Sequence, residues 1–279
     1  MNDARKTGKV YLIGAGPGDP KLLTLKAADA IGESDVIVYD HLVNPEVLAH
    51  SRRGAELIYV GKRASQPSIS QSRINRLLID RACSAQIVAR LKGGDPFIFG
   101  RGGEEAEALA GAGVALEIIP GVSSGMAAAA YAGIPLTHRD YSSSVAFITG
   151  HDAAHGKRPA VDWSIAAHAA DTLVIFMCAQ TIAAIAREII ASGRGPTTPI
   201  AIIRWGTYRH QEVFIGTLED LVAADESSEG GFTIEPPAIA VIGDVVRLAD
   251  KLAWFGVSQL GHSFGASAAA LTSDQLEFV

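Results

Sequence analysis

The stretch KVYLIGAGPGDPKLLTLKAADAIGESDVIVYD, from Lys9 to Asp40, decides the fold. It opens with an apolar run that ends in glycines, continues with apolar residues at helical spacing, and closes with a second apolar run. This order predicts a strand, a helix and another strand. In such a β-α-β unit the two strands are parallel and the helix covers one face of the sheet.

Strand-like and helical segments keep alternating after Asp40. The segments AELIYVGK, QIVARLKGGDP and ALEIIPG are strand-like, whereas SQSRINRLLIDRACSA and GGEEAEALAGAG have helical character. This alternation predicts a mainly parallel sheet wrapped by helices. We therefore predict a first α/β domain over residues 8–136, which ends within the irregular segment IPLTHRDYSS.

The second half of the chain is also predicted to be α/β. The apolar runs VAFITG, TLVIFM, PIAIIRWG, EVFIGTL and PAIAVIGDVV indicate strands of a second domain over residues 137–256. Its later strands lie close together in sequence, which favours an antiparallel hairpin. Residues 257–279 are rich in Gly, Ser and Ala, so we expect a flexible C-terminal tail.

The composition is that of an ordinary globular protein. The 279 residues are 48% hydrophobic and 19% charged, enough for two domains of typical size. The amino terminus lacks a run long enough for a signal peptide or a membrane span, so we expect a cytoplasmic protein without membrane contact. A net charge of −6 argues against a nucleic-acid partner.

The cysteines and histidines indicate neither a disulfide nor a metal. Cys83 and Cys178 lack CxxC spacing and are expected to be free thiols. His151 and His155 stand at helical spacing in GHDAAHGKRP, but no third ligand accompanies them. We predict no metal site.

One stretch of this acidic chain is basic. From Arg52 to Arg101 there are ten Lys and Arg residues against three acidic ones. This local excess is typical of a protein with an anionic small substrate, although about half of these residues would also suit solvated helix faces.

The glycine-rich opening GAGPGDP has several interpretations. It lies between a strand and a helix, and Asp40 closes the next strand, as in a dinucleotide-binding fingerprint. However, Asp19 stands where the third glycine should be, and Pro17 and Pro20 would stiffen the turn. A structural turn, a nucleotide-type ligand and an NAD site all remain open.

The segment RLKGGDPFIFGRGGEE, from Arg90 to Glu105, carries more chemistry. Gly93 and Gly94 let the backbone approach a ligand, and Asp95 adds a carboxylate. Arg101 and Glu104 stand three residues apart at the start of a predicted helix. The alternative is a corner of the fold with a surface ion pair.

The chain as a whole resembles the uroporphyrinogen-III C-methyltransferases, a group within the tetrapyrrole methylase family. The resemblance runs from Val10 to about Phe255, and KGGDPFIFGRG together with GIPLTHRD is its most specific part. The matching segments, in order, are GAGPGDPKLLTLKA, VIVYDHLV, YVGKR, RLKGGDPFIFGRGGEE, PGVSSG, YAGIPLTHRDY, TGH, TLVIFM and PAIAVIGDVV.

This resemblance implies the fold and the reaction. Two α/β domains of the class III methyltransferase type would hold S-adenosylmethionine (SAM) in a trough between them, and two chains would form a homodimer. The enzyme would methylate uroporphyrinogen III at C2 and C7, giving precorrin-2 by way of precorrin-1 and releasing S-adenosylhomocysteine. No metal is implied, and the length of the chain leads us to expect methyltransferase activity alone.

The resemblance also implies the site residues. Substrate carboxylates would be bound by Arg101 and Arg139, the pyrroles by Glu104 and Met177, and His41 replaces an arginine of the family motif YDRLV. Asp40 is implied as proton acceptor, Lys62 as proton donor, and Arg101 as a further catalytic residue. The implied SAM contacts are Pro17, Gly93, Gly94, Asp95, Ile98, Ser123, Ser124, Met177, Gly206 and Ala238.

Other functions are compatible with parts of this pattern. A methylase of the same fold acting on another precorrin, on diphthine or on ribosomal RNA would share GAGPGD but not the combined KGGDPFIFGRG and IPLTHRDY motifs. An NAD-dependent oxidoreductase would bind nicotinamide and ignore SAM. A SAM-sensing module would bind SAM without forming a methylated product. The departure at His41 leads us to expect weaker substrate anchoring, or compensation by Arg52 or Arg53.

Overall fold

A computed structural model describes residues 8–61, 69–84, 86–150, 161–228, 232, 234–256, 260–262 and 264. By its internal contacts the chain divides into two compact units, Met1–Ala127 and Ala128–Val279. Each unit contains one β-sheet. This division falls inside a helix, after Ala127, whereas the sequence predicts a boundary after residue 136. The predicted boundary stays a prediction.

The first unit is built on a five-stranded parallel sheet with the order β3-β2-β4-β1-β5. Its strands are β1 Lys9–Gly14, β2 Val36–Tyr39, β3 Glu56–Tyr59, β4 Ile87–Lys92 and β5 Ala115–Ile119. Its helices are α1 Leu25–Glu33, α2 Gln71–Cys83, α3 Gly102–Gly111 and α4 Ser124–Tyr131, which continues into the second unit, with short 3₁₀ turns at Pro20–Leu22 and Pro45–His50.

Side-chain alternation along β1 explains the layers of this unit. Ile13 packs in a core that includes Ile31 of α1, whereas Leu12 points the other way, into a core with Leu78 of α2 and Leu109 of α3. Both cores are closed by fully buried aliphatic side chains. The sheet is therefore covered on both faces, as predicted from the alternation of strands and helices.

The order of the strands creates a switch point between β1 and β4. The chain leaves β1 for β2, beyond β4, and it leaves β4 for β5, beyond β1. In parallel sheets ligands bind in the crevice that such a reversal opens at the carboxyl ends of the strands. The loops that start after Gly14 and Lys92 lie at this place.

The second unit carries a six-stranded mixed sheet with the order β11-β9-β8-β10-β7-β6. The antiparallel hairpin predicted for the later strands is confirmed, since Pro199 pairs with Thr217 and Arg204 with Glu212. The strands are β6 Val145–Thr149, β7 Thr172–Phe176, β8 Pro199–Arg204, β9 Glu212–Thr217, β10 Ala238–Ile242 and β11 Leu260–His262. The helices are α5 Trp163–Ala166, α6 Ile182–Ala191, α7 Leu218–Ser227 and α8 Ala249–Leu252, with a 3₁₀ turn at Asp244–Leu248.

The predicted tail falls mostly outside the described residues. Its described part differs from the expectation of a loose segment, because Leu260–His262 pairs in parallel with β9. Phe264 is buried, with its ring 5.6 Å from that of Phe232. These contacts give the start of the tail a place at the edge of the second sheet.

Neither a membrane-spanning helix nor a metal-binding cluster occurs among the described residues. None of the helices found there combines the length and the apolar character needed to cross a membrane. Likewise, no group of three or more His, Cys, Asp and Glu side chains within the described ranges could hold a metal ion. His151 and His155 lie outside those ranges.

Candidate active site

Three loops meet at the carboxyl ends of β1, β4 and β5, and glycines make the contact possible. Gly94 N donates to Gly16 O at 2.7 Å, and Gly16 N donates to Gly94 O at 3.2 Å. A β-carbon would lie 2.6 Å from Gly94 O if placed on Gly14, and 2.3 Å from it if placed on Gly121. We call these four residues the glycine junction. Bare backbone is thus brought to the switch point, where a ligand can reach its polar groups.

The carboxylate of Asp95 fastens this junction. Its Oδ1 accepts from Phe97 N at 2.8 Å, and its Oδ2 accepts from Gly121 N at 3.1 Å. Each carboxylate oxygen has a second lone pair, so further hydrogen bonds remain possible. In the structure Asp95 joins two loops. Its predicted contact with the cofactor stays a prediction.

The other cofactor residues predicted in the first unit lie on the same loops. Ser123 is buried directly before α4, and the position of a β-carbon on Gly94 lies 3.4 Å from Ser124 N. Pro17 is half-buried on the first loop and Ile98 is exposed on the second. The structure thus brings the predicted glycines and serines together, with apolar surface beside them.

Arg101 and Glu104 form an exposed, bidentate ion pair. Arg101 Nε donates to Glu104 Oε1 at 2.9 Å, and Nη2 donates to Oε2 at 2.7 Å. The hydrogen bonds that Arg101 donates to Glu104 raise the pKa of Arg101 above its ordinary value, so the guanidinium stays protonated. Two of its five N–H donors are used in this pair, which leaves three for an anion. This geometry favours an electrostatic role for Arg101 over that of a base.

A second charged group lies behind this pair and is buried. Arg90 and Lys92 of β4 and Glu105 of α3 are 3%, 4% and 0% exposed. Glu105 Oε1 accepts from Arg90 Nε at 3.2 Å, from Lys92 Nζ at 3.0 Å and from Gln71 Nε2 at 2.9 Å. We call Arg90, Lys92 and Glu105 the buried ion cluster.

Burial and charge both act on the pKa values in this cluster. Burial, together with the neighbouring Arg90, lowers the pKa of Lys92. Burial opposes ionisation of Glu105, but Arg90 and Lys92 outweigh it and lower the pKa of that carboxyl. Glu105 is therefore ionised at neutral pH, held between two cations.

Asp40 connects this cluster to the surface. It follows β2, is partly exposed, and its Oδ2 accepts from Arg90 Nη2 at 3.1 Å. Its Oδ1 accepts from Leu42 N at 3.2 Å. His41, next to Asp40, is exposed at the same end of the sheet. Lys62, the predicted proton donor, lies outside the described residues.

In the second unit, the sheet register brings three predicted residues to one edge. β10 lies between β7 and β8 and runs antiparallel to both, with Ala238 opposite Arg204 and Ile239 opposite Phe176. The start of β10 therefore lies beside the ends of β7 and β8. Met177 directly follows β7, Gly206 follows β8 after the intervening Trp205, and Ala238 opens β10.

Strained backbone marks both sets of loops. Left-handed φ values cost about 1–3 kcal/mol each in residues other than glycine and often occur at functional sites. Arg101 has φ 60° and Met177 has φ 55°, so two predicted site residues carry such strain. Among the described non-glycine residues, the others with positive φ are Phe99, Trp205 and Thr207. The last two flank Gly206, where a β-carbon would lie 2.3 Å from Ala128 Cβ.

Comparisons with known proteins agree with this geometry. Residues 9–222 match the sequence model of the family described as Tetrapyrrole (Corrin/Porphyrin) Methylases. The chain belongs to this tetrapyrrole methylase family. Membership confirms the resemblance drawn from the motifs, and it decides against the NAD-dependent oxidoreductase.

Curated proteins and solved structures of this family are similar to the chain. The chain is 50% identical over 252 residues to siroheme synthase 1 of Yersinia enterocolitica, covering 90% of this chain and 52% of that protein. It thus spans about half the length of the curated relatives it matches. The native uroporphyrin III C-methyltransferase of Thermus thermophilus aligns with 40% identity and TM-score 0.72, over 86% of this chain and all of that one. A structure of the Thermus enzyme complexed with S-adenyl homocysteine aligns with 38% identity and TM-score 0.73, over 86% of this chain and 94% of that one. The predicted fold class of two α/β domains of the tetrapyrrole methylase type is confirmed.

Within this tetrapyrrole methylase, Arg139 lies in the irregular segment predicted as a connection. It is exposed in a turn where His138 and Ser142 exchange backbone hydrogen bonds at 2.9 Å. Arg139 forms no ion pair with the adjacent Asp140, and within the described ranges it has no carboxylate partner. Asp140 lies instead 4.0 Å from His138 Nδ1.

The expected compensation by Arg52 is wrong. Arg52 Nε donates to Ser34 O at 3.1 Å, and Nη2 bonds Asp35, which directly precedes β2. His41 follows the other end of β2, so Arg52 and His41 belong to opposite edges of the sheet. Arg53 is exposed beside Arg52, and compensation for His41 by Arg53 remains an expectation.

The basic stretch from Arg52 to Arg101 is largely neutralised inside the fold. Acidic residues that lie before and after the stretch in sequence, such as Asp35, Asp40 and Glu105, supply many of the negative charges that pair with its basic side chains. Among the members that the structure describes, those with a carboxylate partner are Arg52, Arg76, Arg81, Arg90, Lys92 and Arg101. A count of charges along the sequence therefore overstated the positive surface.

Sequence reasoning missed the buried ion cluster, although two signals pointed to it. Arg90 and Lys92 stand two residues apart in an otherwise apolar strand, and therefore on one face. Glu105 stands four residues before Leu109, on the buried face of α3. Opposite charges on two faces that must pack together predict an internal ion pair.

Proposed function

We propose that this chain is a SAM-dependent methyltransferase that methylates uroporphyrinogen III at C2 and C7, forming precorrin-2 through precorrin-1. The observation that carries the proposal is the match to the full length of the Thermus thermophilus uroporphyrin III C-methyltransferase. Family membership and the glycine junction support it. Another precorrin methylase of the same fold is the alternative.

SAM supplies a methyl group bound to a sulfonium, which an electron-rich carbon can displace. The residues fit this molecule, because the glycine junction offers bare backbone, Ser123 and Ser124 offer hydroxyls, and Ile98 offers apolar surface. We propose that these side chains, with Pro17 and Asp95, bind SAM. Gly93, Gly94, Met177, Gly206 and Ala238 complete the proposed set.

Substrate binding is proposed for side chains of both units. Uroporphyrinogen III carries eight carboxylates, and a guanidinium matches a carboxylate with two parallel hydrogen bonds. Arg139 is exposed and unpaired within the described residues, and Arg101 keeps three N–H donors beyond its pair with Glu104. Glu104 accepts a pyrrole N–H, Met177 packs against the macrocycle, and His41 donates to a carboxylate.

The protein's main task in the reaction is alignment. The pyrrole carbon attacks the methyl carbon while the bond from sulfur to that carbon breaks, and its electron pair stays on sulfur. Holding both partners in line makes this displacement nearly intramolecular. The pyrrole then carries a positive charge, which Arg101 must not approach too closely and which a carboxylate can balance.

Asp40 is the proposed proton acceptor. A proton leaves the bridging carbon next to the methylated pyrrole and goes to the Asp40 carboxylate, while the electron pair of that C–H bond enters the ring system and removes the charge. Lys62 is proposed as the proton donor in the tautomerisation of the ring, where the proton it gives is balanced by one that another ring position loses to solvent. Arg101 assists by holding a substrate carboxylate, because its raised pKa keeps it charged.

Anaerobic turnover tests this function. Uroporphyrinogen III, prepared by chemical reduction, is incubated with the purified protein and SAM, and the products are followed by mass and absorbance. We expect one and then two added methyl groups, with S-adenosylhomocysteine as coproduct. Products without added methyl groups, or methyl transfer to a precorrin but not to uroporphyrinogen III, would reject the proposal.

We further propose that the protein works as a cytoplasmic homodimer. The family resemblance of the motifs implies the dimer, and the chain itself offers exposed apolar side chains such as Leu25 and Ile165. Light scattering after size-exclusion chromatography measures the mass of the particle. A monomer at micromolar concentration would contradict the dimer.

A further inference from the structure

The buried ion cluster needs an explanation beyond stability. Arg90 and Lys92 project from the same face of β4 into the layer of α2 and α3, where Val88, two residues earlier, packs in an aliphatic core. Removing charges from water costs several kcal/mol per ion, and the mutual attraction often only offsets this cost. Aliphatic residues would fill the same place without that cost, so the charges point to a task at the nearby site.

Arg90 is held firmly in place by its contacts on three sides. Its Nη1 donates to Leu91 O at 2.8 Å, and its Nε donates to Glu105 Oε1 at 3.2 Å. Glu105 is itself fixed by Lys92 and Gln71. The remaining nitrogen, Nη2, reaches Asp40 Oδ2 at 3.1 Å. Arg90 thus links a fully buried carboxylate to a partly exposed one.

The charges of this group balance when Asp40 is included. Two cations, Arg90 and Lys92, face two carboxylates, Glu105 and Asp40. Glu105 Oε2 is buried and has no hydrogen-bond partner among the described residues, so Glu105 is bound through one oxygen only. Asp40 is therefore the second carboxylate that the buried cations require.

We propose that Arg90 is a positioning residue that fixes the Asp40 carboxylate for the proton transfer, with Glu105 holding Arg90 in register. This inference rests on the proposed function. Arg90 and Leu42 N each bind one oxygen of Asp40, which sets the rotation of the carboxylate. A second lone pair on each oxygen remains available for the proton.

The variant Arg90→Lys tests this role. Lysine keeps the charge but lacks the planar fork, so it cannot bind Glu105 and Asp40 with the same geometry. We expect kcat to fall about tenfold, because a misplacement of the order of 1 Å costs up to 100-fold in rate. The KM for SAM should stay within about twofold, since the contacts proposed for SAM are unchanged.

The matched control is Arg81→Lys. Arg81 also binds a carboxylate with two nitrogens, Nη1 and Nη2, each 2.7 Å from an oxygen of Glu56. This pair lies in the same unit, at the start of β3 and therefore at the opposite edge of the sheet. Its loss should leave kcat and both KM values unchanged.

A double-mutant cycle shows whether Arg90 acts through Asp40. Asp40→Asn should lower kcat about 100-fold, the range of general acid-base catalysis, while SAM still binds. The variant Asp40→Asn/Arg90→Lys should be no slower than Asp40→Asn alone, because the positioned group is already lost. If the two losses multiply, or if Arg90→Lys matches Arg81→Lys in kcat, the positioning role is refuted.

Glu105→Asp supplies a second route if Arg90→Lys does not fold. The shorter side chain keeps the charge but withdraws Oε1 from Arg90, so kcat should fall severalfold with the KM for SAM retained. An unchanged kcat in a folded Glu105→Asp protein would overturn the inference. Turnover by the wild-type protein separates the two proposals. If the wild-type protein forms no methylated product, the proposed function and the inference both fail. If it turns over normally and the variants are unaffected, only the inference is rejected.

Discussion

The first turn of α3 supplies the glutamates of two arginine–glutamate pairs, and these pairs differ in their exposure. Arg90 and Glu105 are 3% and 0% exposed in their side chains, whereas Arg101 and Glu104 are 50% and 42% exposed. The buried pair has fixed partners and lies in a low-dielectric interior, while the exposed pair is weakened by water. An exposed guanidinium can exchange its partner for a substrate carboxylate, so the outer pair is suited to binding and the inner pair to positioning.

Breaking the inner pair should give the largest effect on stability. Glu105→Gln leaves Arg90 and Lys92 as two buried cations without their carboxylate, which we expect to lower the free energy of unfolding by about 3 kcal/mol. Urea unfolding followed by circular dichroism measures the loss. Glu104→Gln is the matched control and should change stability by less than about 1 kcal/mol. Equal losses in both variants would show that burial does not separate the pairs.

Breaking the outer pair should act on activity instead. Arg101→Ala is expected to lower kcat/KM for uroporphyrinogen III about 100-fold or more, the range seen when one charge-stabilising donor is removed. Its stability should remain within about 1 kcal/mol of the wild type. Steady-state kinetics and urea unfolding give the two numbers. Normal kinetics in this variant would remove Arg101 from the substrate site.

The glycine junction offers a smaller and more local test. Gly94 and Gly113 have nearly the same left-handed φ, 67° and 69°. A β-carbon on Gly94 would lie 3.4 Å from Ser124 N, whereas one on Gly113 would have no described residue within 4 Å other than its chain neighbours. Alanine at either position should cost about 1 kcal/mol of stability. Gly94→Ala should weaken SAM binding, whereas Gly113→Ala should not. Titration calorimetry measures both affinities. Equal SAM affinities in the two variants would argue against a cofactor role for this loop.

The smallest expected effect concerns the departure from the family motif. His41→Arg restores the residue of YDRLV and adds a longer, permanently charged fork at the carboxyl end of β2. We expect the KM for uroporphyrinogen III to fall about threefold, with kcat unchanged. A higher KM would indicate that the histidine is adapted to this chain.

The local pattern of the sequence was sufficient for the elements but not for their partners. The run from Lys9 to Asp40 predicted β1, α1 and β2, and GGEEAEALAGAG predicted α3, because apolar spacing reports which face of an element is buried. The pairing of Arg90 with Glu105 depends on how a strand and a helix are placed against each other after folding. The spacing of residues along the chain does not contain that information.

The same distinction explains the results at the candidate site. Arg101 and Glu104 are close in sequence, so their pairing could be predicted from helix geometry. Arg52 and Asp35 meet at the edge of the sheet opposite to His41. This contact depends on how the strands are arranged after folding, which the spacing of residues along the chain does not predict. Left-handed backbone at Arg101 and Met177 could not be predicted either, since glycine is the residue that usually signals it.

The stoichiometry of methyl transfer tests the central proposal most directly. Under anaerobic conditions, S-adenosylhomocysteine released is quantified against uroporphyrinogen III consumed, with the product identified by mass. A SAM-dependent enzyme that forms precorrin-2 releases two molecules of S-adenosylhomocysteine for each uroporphyrinogen III consumed at completion. If no S-adenosylhomocysteine is released, or if it forms without any gain of methyl groups on the tetrapyrrole, the proposed function is contradicted.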